Sequence, residues 1–446
     1  MSEQKKSQST KPLWAAGGET IDRGILTFCA GEDATLDNEL LLDDCVASRA
    51  HVKGLALIDI LSSEEERALT NALLSLEEKI KEGQFFVGED DEDGHSAIEG
   101  WLTQHLGDLG KKIHTGRSRN DQILIASRLW LKRHTTAIAR GILRAIQRAL
   151  EKAEETRDQP MPGYTHLQQA VPSSVGFWFA GHAESWLEDA EAILHLQNVL
   201  DTCPLGTAAG YGVNLPLARE NVAHELDFAK IQLNGIAAQN SRGRFELHAI
   251  QTLMMWMLSV RRFAWDLSLF STHEFGFITL PARWCTGSSI MPNKRNPDVV
   301  ELMRAQYAVL SGAQSELSEA LSLPSGYQRD LQVTKGPMIR GVKAARAVVA
   351  LLEDLVGDIS FNAAACERAL SVDLLATDRA VELAKEGVPF RDAYREVKTQ
   401  LGQSMGDAER IQEMKKSVKA RISLGAPGNL GLEHLASRLK DLEAKL

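Results

Sequence analysis

The run NDQILIASRLWLKRHTTAIARGILRAIQRALEKAEET, residues 120–156, decides the fold. Leu129, Ile138, Ile142, Ile146 and Leu150 fall on one stripe at helical spacing, and no proline interrupts the run, so it reads as one long amphipathic helix. Working outward, a second such helix begins after Pro172, where Ser173 or Ser174 can cap it, and carries Trp178, Trp186, Ile193 and Leu200. A third spans roughly 241–273, with Ile250, Leu253, Met257, Ala264 and Leu267. A fourth starts at Pro297, and a fifth covers about 339–367. Helices of about 25–35 residues are well above the globular mean of about 11–12, and their broad apolar faces need partners on several sides. The expected fold is all-α, a bundle of long helices that self-associates. The Met and Trp residues on the stripes are core or subunit contacts.

Composition narrows the function classes. The chain has 446 residues, 44% hydrophobic, enough for a sizeable core, and its formal net charge of -10 disfavours nucleic acid or an anionic membrane surface as partner. No run approaches the 18 or so apolar residues that span a bilayer; Ile250 to Val260 is too short. The first residues, MSEQKKSQSTK, are polar and read as a flexible tail. Five widely spaced cysteines, at 29, 45, 203, 285 and 366, offer neither a zinc pattern nor a disulfide framework, and a reducing cytoplasm fits them. Cys285 has no histidine-linked pattern to make it a nucleophile.

The unusual residues lie between the helices, in His114 to Gln122, Pro162 to Pro172, Gly206 to Asn214, Gly287 to Pro297 and Leu323 to Lys335. Gly206-Thr-Ala-Ala-Gly-Tyr-Gly212 lacks the GK[ST] ending of a phosphate loop. Gly287-Ser288-Ser289-Ile290-Met291-Pro292-Asn293-Lys294-Arg295-Asn296-Pro297 puts two hydroxyls and two cations into one loop. By composition alone this is a surface loop. Yet Gly287 frees its backbone, Pro297 suits the first turn of the following helix, and that helix points its positive end back at the loop. Free amides, Lys294 and Arg295 suit carboxylates, and a serine among them can lose its proton more easily than in water.

His114-Thr-Gly-Arg-Ser-Arg-Asn-Asp-Gln122 and the Gly287 loop together resemble the fumarase/aspartase superfamily and, within it, the argininosuccinate lyase branch. The loop resembles the superfamily signature GSSxMPxKxNP, and the HTGRSRNDQ run points to the branch. Gly163-Tyr164-Thr165-His166-Leu167-Gln168 and Leu323-Pro324-Ser325-Gly326-Tyr327-Gln328-Arg329-Asp330-Leu331-Gln332 agree, in the family's order, over roughly residues 35–400. The resemblance implies a three-domain subunit, with a tail at 1–12, an N-terminal helical domain at 13–117, a central bundle at 118–367 and a small C-terminal helical domain at 368–446. It also implies a homotetramer whose active sites are shared between subunits.

The implied reaction, in arginine biosynthesis, is the reversible elimination of argininosuccinate to arginine and fumarate, with neither metal nor organic cofactor. By resemblance Ser288 takes the proton and His166 serves the departing nitrogen as acid, although assignments in the family also reverse these roles. Lys294 stabilises the developing charge and Glu301 partners the histidine. Implied substrate contacts are Arg119, Asn120, Thr165, Asn296, Tyr327, Gln332 and Lys335, with Ser118, Asp91 and His95 as further candidates. Such donors fit a substrate with three carboxylates and one guanidinium.

The chain also departs from the pattern. The WGGRF stretch is reduced to Trp14-Ala-Ala-Gly-Gly-Glu-Thr, and the family's substrate-contacting serine has no match near Gly31. Ser241-Arg242-Gly243-Arg244 replaces an SxRD-like segment, Gly206 to Gly212 replaces GSGAxAG, and Tyr394 stands where histidine is common. These mark a divergent branch. Two alternatives therefore stay open: a related lyase acting on adenylosuccinate, aspartate, malate or an acylated analogue, and a non-catalytic structural protein like the lens crystallins of this family.

Overall fold

The computed structural model describes residues 23–88 and 91–446. The tail expected at 1–12 and the Trp14 stretch lie outside the described residues. Eight helices carry the architecture: α1 (Leu41–Ala56), α2 (Ser63–Lys81), α3 (Gly94–Leu106), α4 (Arg119–Glu155), α5 (Val175–Leu200), α6 (Arg244–Phe270), α7 (Asp298–Ala320) and α8 (Lys335–Asp358). The C-terminal region adds α9 (Ala376–Lys385), α10 (Phe390–Lys398), α11 (Asp407–Ala420) and α12 (Leu432–Glu443). The fold is all-α, and the sheets among the described residues are two-stranded.

The described residues form two compact units. One takes the described residues up to 135 together with 195–251 and 310–343; the other takes 136–194, 252–309 and 344–446. Each of the five long helices, α4 to α8, gives one segment to each unit.

The stripes read from sequence are the buried ones. Ile138, Ile142 and Ile146 on α4, Trp186 and Ile193 on α5, and Leu253, Met257 and Leu267 on α6 are fully buried. Their burial, at roughly 1.5–3 kcal/mol per large side chain, is the main force holding these helices. In the first unit α1, α2 and α3 close a core of Leu41, Val52, Leu55, Leu69, Leu73 and Leu102. Helix α2 opens with a capping box, in which Ser62 Oγ accepts from Glu65 N and Glu65 accepts from Ser62 N.

Boundaries moved where the backbone has its own demands. Helix α6 starts at Arg244 rather than 241 because Gly243 sits at φ 77°, where a Cβ would meet Leu321 at 2.4 Å. Helix α8 runs from Lys335 to Asp358, and the expected helix to 367 is instead broken. Ser360–Phe361 pairs with Ile278–Thr279, and Asn362 Oδ1 then accepts from Ala365 N, 3.1 Å, to cap a short helix at Ala363–Ala369. Ser174, not Ser173, caps α5, its Oγ accepting from Phe177 N at 3.1 Å. Pro297 precedes the first turn of α7 rather than joining it, and its carbonyl accepts from Glu301 N at 3.0 Å.

Candidate active site

In the second unit, β1 (Pro160–Thr165) and β2 (Gln168–Ser174) form an antiparallel hairpin where the sequence predicts only a segment between helices. Its tip is His166-Leu167, with φ values of 54° and 56°. Two consecutive left-handed residues are the geometry of a type I′ turn, normally taken by Asn-Gly. Each costs roughly 1–2 kcal/mol for a non-glycine residue. Thr165 and His166 are exposed at this strained tip.

The Gly287 loop is also a hairpin. Strand β3 (Thr286–Gly287) pairs with β4 (Arg295–Asn296), so Gly287 faces Arg295 in a ladder and its φ is not left-handed; its expected backbone freedom is not used. Asn296 pairs with Thr286, whose hydroxyl also bonds to Asp298. Within the tip, Ser288 Oγ accepts from Met291 N at 3.0 Å and from Ile290 N at 3.3 Å. Two amides aimed at one hydroxyl oxygen stabilise negative charge on it. Lys294 is exposed, and Glu301 is exposed in the first turn of α7. No hydrogen bond among the described residues joins Ser288, His166 and Glu301 to one another. Burial lifts the Cys285 thiol above its usual value, which fits no nucleophilic role.

The other candidates belong to the first unit. Arg119 opens α4 and is held by Glu92 at 2.6 Å, Asp93 at 3.1 Å and Ser96 Oγ at 3.1 Å. Asn120 follows it, its amide directed at Ser118 Oγ, 3.3 Å. The ring of Tyr327 lies 5.7 Å from the guanidinium carbon of Arg242. Gln332 Nε2 donates to the carbonyls of Cys29 and Ala30, at 2.9 and 3.0 Å. Lys335 is buried, and its Nζ sits 2.6 Å from both Asp33 and Asp37. Asp37 also accepts from Gly94 N, at 2.9 Å, next to His95. His95 Nδ1 lies 2.5 Å from Asp44. Burial opposes charge on His95, but Asp44, with Asp93 and Asp37 behind it, lifts it above its usual range. Asp91 Oδ2 accepts from Gly88 N at 2.9 Å, a local turn bond. Tyr394 is exposed on α10.

Several residues that hold this region were not singled out in sequence. Arg117 is buried and donates to Ser48 Oγ, 2.8 Å, and to the Ile113 carbonyl, 3.1 Å. His51 Nε2 lies 2.9 Å from the Thr115 carbonyl, so that nitrogen carries the hydrogen. Ser48 and His51 sit about one turn apart on one face of α1, and their i, i+3 spacing is the only signal the sequence offers. Burial first, then Arg117, lowers His51 from 6.5 to about 3. An unfolded His51 binds a proton below pH 6.5 while the folded one does not, so stability is full above pH 6.5 and falls as the pH drops toward 3. The slope approaches about 1.4 kcal/mol per pH unit. Urea unfolding of His51→Gln, which keeps the donor and cannot titrate, is expected to lose less stability between pH 7 and 5 than the parent; equal losses would place the proton elsewhere.

Among the described residues no group of three or more His, Cys, Asp or Glu side chains is gathered as a metal ion would require. No helix among them is long and apolar enough to cross a membrane.

A family model described as lyase matches residues 23–312. The argininosuccinate lyase of Sorangium cellulosum is 49% identical over 428 residues, covering 96% of this chain and 98% of that protein. The chain belongs to the argininosuccinate lyase family. The family member of Stenotrophomonas maltophilia strain K279a is 48% identical over 430 residues, covering 96% of this chain and 99% of its own. Among solved structures, an EDDS lyase variant with bound fumarate superposes with a TM-score of 0.78 at 21% identity, covering 94% of this chain and 90% of that one. That likeness carries the fold. The departures at Ser241 to Arg244 and Gly206 to Gly212 therefore sit within a chain that matches family members along nearly its whole length.

Proposed function

We propose that this chain is a carbon-nitrogen lyase that splits argininosuccinate reversibly into arginine and fumarate. The observation that carries this reading is identity of 47–49% to argininosuccinate lyases over at least 96% of the chain. The family's four motif stretches also occur in order. Removing a proton from the carbon beside a carboxylate would place two negative charges on one group, so the reaction needs fixed positive partners. Ser288 takes that proton on Oγ, and the Ile290 and Met291 amides with Lys294 hold the charge the serine must carry beforehand. The electron pair of the broken C–H bond forms the C=C bond of fumarate, and the C–N bond breaks. His166, partnered by Glu301, delivers a proton to the leaving guanidinium nitrogen. Arg119, Asn120, Thr165, Asn296, Tyr327, Gln332 and Lys335 bind the substrate or support those that do.

The acting species is a cytoplasmic homotetramer. One chain leaves Phe177, Met255, Trp265, Leu302, Val309 and Leu351 exposed on the long helices, and Leu302 is 62% exposed one residue from Glu301. Apolar side chains of this size along helical stripes ask for covering helices. Sharing of sites between subunits would join the residues that no hydrogen bond joins within one chain. The division at 117/118 and 367/368 is proposed on the family resemblance.

Purified protein given argininosuccinate, adenylosuccinate, aspartate and malate separately, with absorbance followed for fumarate, is expected to respond to argininosuccinate. A response to adenylosuccinate alone would refute the assignment, and no response to any would favour a structural homologue.

A further inference from the structure

Asp121 is fully buried in the first turn of α4 and takes part in none of the chemistry above. Its Oδ1 accepts from Ser118 N at 2.9 Å. Its Oδ2 accepts from Ala208 N at 3.0 Å and Gly206 N at 3.3 Å, more than 80 residues further along the chain. One carboxylate thus ties the HTGRSRNDQ segment to the Gly206 to Gly212 turn.

The turn is not one the chain would hold unaided. Gly206, Gly210 and Gly212 have φ values of 86°, 100° and 71°, and between them Ala208, which has a Cβ, sits at φ 49°. A left-handed alanine persists only where its surroundings over-determine it. Here the surroundings are the Asp121 carboxylate on the Ala208 amide and Gln239 Nε2 on the Ala208 carbonyl, 3.0 Å. The neighbouring Arg219 Nε donates to the Leu205 carbonyl, 3.1 Å. Arg119 and Asn120 lie between Asp121 and its bonded partner Ser118, and their side chains stay partly exposed.

We propose that Asp121 is a positioning residue for substrate binding, presenting Arg119 and Asn120 by locking their segment to the Gly206 to Gly212 turn. This rests on the reading of Arg119 and Asn120 as substrate contacts. A carboxylate suits the place because three N–H groups point at it, and an acceptor-only group is the side chain that meets all three. Burial lifts Asp121 to about 6, against the pull of the Ser118 amide and Arg117, so the charge is kept by these donors rather than by water. Asparagine in its place would keep one accepting oxygen and turn its NH2 toward either the Ser118 N–H or the Gly206 and Ala208 N–H groups; alanine would leave all three without an acceptor.

The full-length enzyme is compared with Asp121→Asn and Asp121→Ala by hydrogen exchange, thermal melting and steady-state kinetics with argininosuccinate. In Asp121→Asn the peptides covering 114–120 and 204–212 are expected to exchange faster together while the rest of the chain does not. KM is expected to rise about 10-fold or more with kcat changed less than about 3-fold, the signature of lost binding geometry without lost chemistry. Asp121→Ala is expected to follow the same order more strongly where it folds. Unchanged exchange in either segment overturns the proposal, and so does faster exchange in both with KM unchanged. A fall in melting temperature with unchanged KM makes Asp121 merely structural and overturns it too. Should the parent protein fail to release fumarate from argininosuccinate, the proposed function falls, and the paired exchange of the two segments still decides the lock.

Discussion

Ser288→Ala is expected to leave the assembly and its helix content intact while turnover falls about 10²–10⁴-fold, the range for removal of a positioned acid–base group. The two sides of this prediction have separate grounds. The hydroxyl lies in an exposed hairpin tip, where its loss frees only the Ile290 and Met291 amides, and water can satisfy both. Under the proposed roles, in contrast, Ser288 Oγ is the atom that receives the abstracted proton. Ser289 is exposed beside it, but only Ser288 Oγ receives the two amide hydrogens that favour an oxyanion. Spectrophotometric assay of fumarate release, with gel filtration and circular dichroism as controls, checks the result, and activity near the parent level would move the base elsewhere. Mixing Ser288→Ala with His166→Asn after verified subunit exchange is expected to return part of the activity, because a shared site can then be built from one intact copy of each segment. No recovery would assign both residues to one chain's site.

Lys335→Met is expected to cost about 3–5 kcal/mol of unfolding free energy, the usual penalty for taking one partner out of a buried ionic cluster. The ammonium is 5% exposed and bridges Asp33 and Asp37, each at 2.6 Å. Asp37 cannot simply move out, since its other oxygen accepts from Gly94 N at the start of α3. Burial already raises Asp33 above its usual value, even with Lys335 pulling the other way, so loss of the cation removes what holds that carboxylate down. Chemical denaturation of Lys335→Met, and of Lys335→Met with Asp37→Asn, measures this, and the second change is expected to recover part of the loss. Unchanged stability with a raised KM would instead direct the ammonium at substrate.

The long helices were legible because their signal is local and repeated: a stripe such as Ile138, Ile142, Ile146 and Leu150 needs no knowledge of the partner. The motif runs were legible for the same reason. The β1–β2 hairpin was not, because Pro160, Pro162 and Pro172 obscure any alternation, and no glycine announces the left-handed backbone at His166 and Leu167. The supports of the candidate site were hidden by distance along the chain. Asp121 meets Ala208, His95 meets Asp44, and Lys335 meets residues about 300 positions earlier, and nothing in a single sequence pairs one acid with one donor rather than another. The roles of Ser288, His166, Lys294 and Glu301 rest on the family motifs, while their placement on two hairpin tips and one helix start is a matter of structure.

Neither compact unit is a contiguous piece of chain, and this bears on how the protein comes into being. The first unit takes its last segment from 310–343, so during synthesis its amino-terminal helices must wait until about three quarters of the polypeptide has emerged before that unit can close. Contacts so far apart in sequence form slowly and leave apolar stripes uncovered in the interval. A truncation anywhere before residue 343 would therefore leave both units incomplete rather than releasing one finished half.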